Sequence, residues 1–184
     1  AGVNRLTGLV LTHGDSQHIG GVTQLLSDFP RALVLDNPAP DRSLIHRRLS
    51  RIVPELQGHG RKPAELAAGD NFYLSRDTIA HVLFPPRGFA GGTADDQALV
   101  IRLSIAPGPS VLFMSDNGAE TERALLSNGL DLQSDILVKG QHHSGLSGSA
   151  PFLDAVRPRS IIATSKEFPE HERISEQWVE QLRL

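Results

Sequence analysis

The chain has 184 residues, 39% hydrophobic and 21% charged, a balance that suits one globular core and argues against disorder. No apolar stretch reaches the ~18 residues of a membrane-spanning helix, and no charged-then-apolar segment of the signal type is read at the start. The net charge of −3 argues against a generally basic nucleic-acid binder, and the lack of cysteine excludes disulfides and thiolate ligands, leaving any metal to histidine and carboxylate.

Apolar patterning gives the elements in turn. Leu6, Gly8, Leu9, Val10 and Leu11 predict a short buried strand, residues 19–29 a helix, and residues 32–35 a second strand. Leu44, Ile45, Leu49 and Ile52 recur at helical spacing, which predicts a helix over 41–52 that Asp41 can cap. Residues 58–63 read as a turn-rich connection. Strands follow over 71–74, 79–83, 99–105 and 111–114, and because no helix separates them part of the sheet is expected to be antiparallel. Among them Pro85, Pro86, Gly88, Gly91 and Gly92 mark a loop able to flank a site. Further helices are expected at 120–126, Ala150–Val156 and 175–182, and strands at 136–138 and 160–164.

Three of these strands end in residues of metal-ligand type, at the end of the strand where open α/β sheets gather their sites. Residues 11–21 read LTHGDSQHIGG, so that His13 and Asp15 leave the first strand, Gly14 allows a sharp path between them, and His18 enters from the next helix. Imidazole suits zinc, manganese or iron, and a carboxylate biases the choice toward harder ions. The alternative is a polar strand-to-helix turn with Asp15 or Ser16 as N-cap. The run 111–114 ends in Ser115, Asp116, Asn117 and Gly118, and the run 136–138 in Lys139, Gly140, Gln141, His142, His143, Ser144 and Gly145. For Asp116 an N-cap, and for the histidine pair an ordinary loop, are the corresponding alternatives.

The order THxDxxHxGG, then an apolar run ending in Ser115 and Asp116, then one ending in His142 and His143 with Ser144 and Gly145, resembles the metallo-β-lactamase-like hydrolases. Within them it is most similar to the C-terminal hydrolase domain of the ComEC family, the DNA-uptake channel proteins of bacterial competence. Ala68, Gly69 and Asp70, then HVLFPP at 81–86 and DDQALV at 95–100, follow that domain's strand order, so that the resemblance runs from about residue 6 to about residue 178.

The resemblance implies an α/β fold, an αββα sandwich with mixed sheets, as one domain over residues 1–184. It implies a divalent metal, zinc or manganese, as one or two ions held by His13, Asp15, His18, Asp116 and His142. Asp116 would bridge two ions or orient the attacking water, and His143 or Ser144 would assist as supporting donors. The chain departs from the family in several places. Gln17, a neutral amide and poor ligand, stands where many members have an aspartate for a second metal. Asp95 and Ala98 stand where ComEC domains tend to have asparagine and serine; Asp95 could return a carboxylate, and loop solvation is the reading taken for it. The family's final histidine falls on His171, followed by Glu172 in place of the usual proline. Strands that precede the first histidine motif in the family have no counterpart here, so the fold is expected to be partial, with N-terminal strands missing.

In function, the resemblance implies a nuclease acting on single-stranded DNA through a metal-activated water. It would be a soluble domain attached to the membrane channel of a bacterial inner-membrane protein and facing outward, or cytoplasmic if free-standing. Two other readings stay open: a metal-depleted, non-catalytic binding or structural domain of the same channel, and a stand-alone hydrolase of small esters or lactones. Arg42, Arg47, Arg48, Arg51, Arg61 and Lys62 make up a third of the 18 lysines and arginines. Arg47 and Arg51, four apart, share one side of the predicted helix away from its apolar stripe and are the candidates for holding a phosphodiester backbone, a solvated helix face being the plainer reading. His46, His59 and His81 receive no metal role.

Overall fold

The computed structural model describes residues 2, 4–37, 39, 43–56, 62–90, 92–140, 142, 144, 147–164, 168, 170 and 173–182. Strands β1 (Gly8–Val10), β2 (Leu33–Asp36) and β3 (Ala64–Glu65) form a parallel sheet in that order, connected through α1 (Ser16–Ile19), α2 (Val22–Asp28) and α3 (Leu44–Leu56). The helix expected over 19–29 is two helices, because Gly20 and Gly21 turn the chain between α1 and α2 where glycine is a poor helix former. The helix expected to stop at Ile52 runs on to Leu56 with Pro54 inside it, since Val53 and Leu56 still pack on the sheet. Asp41, its expected cap, lies outside the described residues.

The second sheet runs in sequence order: β4 (Asn71–Ser75), β5 (Thr78–Phe84), β6 (Val100–Ile105), β7 (Ser110–Phe113), β8 (Ile136–Lys139) and β9 (Ser160–Ala163). β4 to β7 are antiparallel, as the helix-free run of strands implies. β7, β8 and β9 are parallel, because α4 (Ala119–Ser127) and α5 (Ala150–Val156) carry the chain back between them. A final helix, α6, spans Glu176–Gln181.

Period-two alternation sorts the apolar side chains into layers. In β1 and β2, Leu9 and Val34 face α1, α2 and α3, where Ile19, Leu26, Leu49 and Val53 meet them. Their neighbours Val10 and Leu35 face the second sheet and pack with Leu66, Ala80, Val82, Leu99 and Ile101. On the far face of that sheet Val100, Leu112 and Leu137 meet Leu125 of α4 and Phe152 and Val156 of α5. A register shift between Val82 and Phe84 turns Phe84 to this outer face although it has the same parity as Val82. Helix, sheet, sheet and helix therefore stack as an αββα sandwich. With both of its faces covered, the short apolar run of β8 needs no polar side. Among the described residues no helix is long and apolar enough to cross a membrane.

Candidate metal centre

The C-terminal ends of β1, β7 and β8 and the N-terminal end of the antiparallel β6 meet at one edge of the sandwich. Thr12, just past β1, accepts the Leu99 N–H at 2.9 Å and the Asn37 side-chain amide at 2.9 Å, and that amide also bonds the Gln97 carbonyl. These bonds tie the β1 end to the 3-10 turn Asp95–Gln97. Ser115 adopts φ 50, a backbone conformation uncommon outside glycine, and its hydroxyl donates to the Leu99 carbonyl at 3.0 Å. Asn117, buried beside it, donates to the Ala98 and Met114 carbonyls at 2.9 and 2.8 Å. Gly140 N–H closes the turn by donating to the Ser115 carbonyl at 2.7 Å.

His13, His18 and Asp116 converge. His18 Nε2 lies 2.9 Å and His13 Nε2 3.8 Å from Asp116 Oδ2, and the two imidazole centroids are 4.2 Å apart. His13 is 3% exposed; Thr12 Oγ1 sits 3.1 Å from its Nδ1, while its buried Nε2 has no hydrogen-bond partner among the described residues. Burial, reinforced by the nearby His18, lowers the His13 pKa, so the ring favours the neutral form in which a nitrogen can coordinate. The bond to Asp116 outweighs burial and raises that of His18.

Asp15 caps α1, its Oδ1 accepting the Gln17 N–H at 3.0 Å. Burial pulls its pKa upward, but the Gln17 and Ser16 bonds outweigh this and hold it below the ordinary carboxylate value. Capping and ligation are compatible, since the carboxylate has a second oxygen. Ligand-type atoms of His13, His18 and Asp116 lie within 4.8 Å of one another, and so do those of His13, Asp15 and Asp95. Asp95, read from sequence as loop solvation, thus stands among the expected ligands. The orphaned imidazole nitrogen and the histidine-carboxylate donor set fit a divalent metal ion. Glycines at the rim make room for them: a Cβ at Gly140 would overlap Asp116 Oδ1, and one at Gly118 would come 2.8 Å from the His142 ring.

His142, 6% exposed, stands beside these groups but belongs to neither. Ser144 N–H donates to its Nδ1 at 3.1 Å, and its Nε2 lies 2.9 Å from Asp96 Oδ1. Asp96 is further held by the Thr93 N–H and hydroxyl, both at 3.0 Å. His143 and His171 lie outside the described residues. Arg47 and Arg51 are exposed on α3. The first turn of that helix borders the site, because His46 lines a narrow crevice together with His13, Gly14, Asn37 and Gln97. His46 itself bonds both Asp36 oxygens, at 2.8 and 3.0 Å, and His81 bonds Asn71 Oδ1 at 2.7 Å. Lys139, given no role from the sequence, is buried with its ammonium 5.0 Å from the Trp178 ring centroid, and burial lowers its pKa.

No family model matches the chain. Over 166 residues, 90% of its length, it is 29% identical to competence protein ComA of Neisseria gonorrhoeae, and over 165 residues, 89%, it is 24% identical to ComE operon protein 3 of Bacillus subtilis (strain 168). It spans about a fifth of the length of these curated relatives, 21% and 20%. Among solved structures, an isothiocyanate hydrolase from Delia radicum gut bacteria matches 95% of this chain and 68% of its own with TM-score 0.52 and 12% identity. Zinc-bound PqqB from Methylobacterium extorquens matches 72% of this chain and 45% of its own with TM-score 0.45 and 11% identity. The chain has a metallo-β-lactamase-like fold, and its sequence is similar over nine-tenths of its length to competence proteins of the ComEC type.

Proposed function

We propose that this chain is a metal-dependent hydrolase domain of a ComEC-type DNA-uptake protein, attached to the membrane channel and facing outward, and that it cleaves phosphodiester bonds of single-stranded DNA. The observation that carries the reading is the buried His13 Nε2, which has no hydrogen-bond partner among the described residues and faces carboxylate and imidazole donors. An unsatisfied buried polar atom costs about 1–3 kcal/mol, and a coordinated cation removes that cost. His13, Asp15, His18 and Asp116 would hold the ion, with Asp95 as a further carboxylate. His142 joins them only by giving up its bond to Asp96. When bound, a divalent ion supplies an acidified water and a polarised phosphoryl oxygen.

The chain's own groups do the positioning. Asp116 orients His18 through their 2.9 Å bond, and the Gln17 N–H fixes one oxygen of Asp15. Asn37 holds the Thr12 and Gln97 carbonyls together behind the site. Arg47 and Arg51, exposed on the helix whose first turn borders the crevice, suit a phosphate backbone, where a positively charged track supplies most of the affinity. His143 is retained as an assisting donor. In the test, purified protein is supplied with zinc or manganese and end-labelled single-stranded DNA. Cleavage that is lost on chelation and in His13→Ala and Asp116→Asn variants supports the reading. A metal-loaded protein inert on DNA but active on esters or lactones would replace it.

A further inference from the structure

We propose that Trp178, the only tryptophan of the chain, is a positioning residue: its indole, on α6, pins both ends of the segment that carries His142 from β8 to α5. At the near end, the ammonium of Lys139, the last residue of β8, lies 5.0 Å from the indole centroid, within range of a cation–π attraction. The next residue, Gly140, closes the Asp116 turn through its N–H, 2.7 Å from the Ser115 carbonyl. At the far end, the indole Nε1–H donates to the Gly148 carbonyl at 2.8 Å, while the Gly148 N–H donates to the buried Glu122 carboxylate. Side chains of α6 and α4 thus engage both polar groups of one residue. Gly148 is suited to the contact. Its φ is +77, and a Cβ there would come 2.7 Å from Cζ2 of the indole and 2.8 Å from Nε1, so only glycine admits the ring.

The helix itself gains little from the arrangement. α6 is six residues long, buries none of them, and among the described residues adds nothing to the three core clusters. The grip of Trp178 therefore bears on the segment it holds more than on a core. Fixing a backbone in one conformation costs entropy, so a connection of this length keeps a ring in one place only where contacts tie it down. His142 stands between the tied ends. Accepting the Ser144 N–H at Nδ1 leaves its proton on Nε2, 2.9 Å from Asp96 Oδ1. Asp96 adjoins Asp95, a carboxylate grouped with His13 and Asp15. Releasing Gly148 would loosen His142 and, through it, the brace on Asp96. The effect on the centre rests on the metal-binding reading above, whereas the clamp does not.

The test uses the whole chain, first without metal, with circular dichroism to check that each variant is folded. Long-range proton–nitrogen NMR spectra report the ring tautomer of His142. The wild type is expected to show an Nε2–H ring, Trp178→Ala an exchange-averaged one, and Trp178→Phe, which keeps an aromatic face for Lys139 but loses the N–H, an intermediate signal. Gly148→Ala displaces the indole without removing it, so it is expected to reproduce the Trp178→Ala ring signal and to shift the single-tryptophan emission to the red. Competitive zinc titration is then expected to show affinity lowered about 2–30-fold in Trp178→Ala and Gly148→Ala, the range for substitutions that act on a site through packed neighbours. An unchanged His142 signal in either folded variant, or unchanged emission in Gly148→Ala, would overturn the clamp. A changed ring signal with wild-type zinc affinity would overturn the positioning role. A wild type that takes up no zinc would remove the metal-binding reading and the positioning role with it, while the ring signal still decides the clamp.

Discussion

Replacing Gly140 by alanine tests how tightly the turns are packed around Asp116. The new Cβ would overlap Asp116 Oδ1 and lie 2.9 Å from the carboxyl carbon and 3.1 Å from the Ser115 carbonyl oxygen. That carbonyl is fixed, since it accepts the Gly140 N–H at 2.7 Å, so either the carboxylate swings away or the end of β8 shifts. The backbone at 140 is not left-handed, which makes the effect steric. Overpacking of this kind costs about 1–3 kcal/mol. For a chain of this size each kcal/mol moves the melting temperature by about 2–4 °C, so metal-free Gly140→Ala is expected to melt about 2–12 °C lower. If the carboxylate swings, His18 loses its 2.9 Å partner, and zinc affinity falls by about 10–100-fold, as is usual when the support of a ligand is removed. Thermal melts with chelator present and competitive zinc titrations measure the two effects separately. A variant that keeps both the wild-type melting temperature and the wild-type zinc affinity would refute the packing described around Asp116.

Glu122, 1% exposed on α4, accepts from Gly148 N–H, from Ser149 N–H at 3.0 Å and from the Ser149 hydroxyl at 2.6 Å. Glu122→Ala strands two backbone donors at about 1–3 kcal/mol each, so urea denaturation is expected to show a loss of about 2–6 kcal/mol; a loss under 1 kcal/mol would contradict these bonds. Leu137→Ala, in the fully buried centre of the outer cluster, is expected to cost about 2–5 kcal/mol in the same assay, with little change in zinc binding. Burial pushes the Asp96 carboxyl up, but the Thr93 N–H and hydroxyl and the His142 contact together hold it below its ordinary value. A depressed folded pKa stabilises above the unfolded value of about 3.9 and is lost as pH falls through the folded one. Stability measured against pH is therefore expected to fall less steeply below about pH 4 in Asp96→Asn than in wild type, with a constant difference between them near neutrality.

Much of the architecture was legible because β1, β7 and β8 are short apolar runs that end abruptly in polar turns, and Leu44, Ile45, Leu49 and Ile52 recur at helical spacing. β3 escaped notice: Ala64 and Glu65 are exposed, and their strand character comes only from pairing with Leu35 and Asp36. The Phe84 reversal depends on a register shift that no alternation in β5 announces. At the site, the convergence of His13, His18 and Asp116 followed from strand ends sharing one edge. The same logic reaches Asp95: a helix-free strand pair must be antiparallel, which brings the start of β6 beside the end of β7, as the Ile101 and Phe113 pairing shows. Taken alone, a carboxylate before a strand resembles ordinary loop solvation. The bonds of His142 to Asp96 and of His46 to Asp36 are side-chain choices made within the folded turns, beyond the reach of spacing.

The central claim is that His13 Nε2 anchors a divalent cation. Crystals grown with zinc and measured on both sides of the zinc absorption edge address it directly. An anomalous peak is expected about 2.0–2.1 Å from His13 Nε2, with carboxylate oxygen from Asp116, Asp15 or Asp95 at about 2.0–2.2 Å. Zinc-saturated crystals with no peak at His13, or with zinc bound only at surface histidines such as His81, would contradict it.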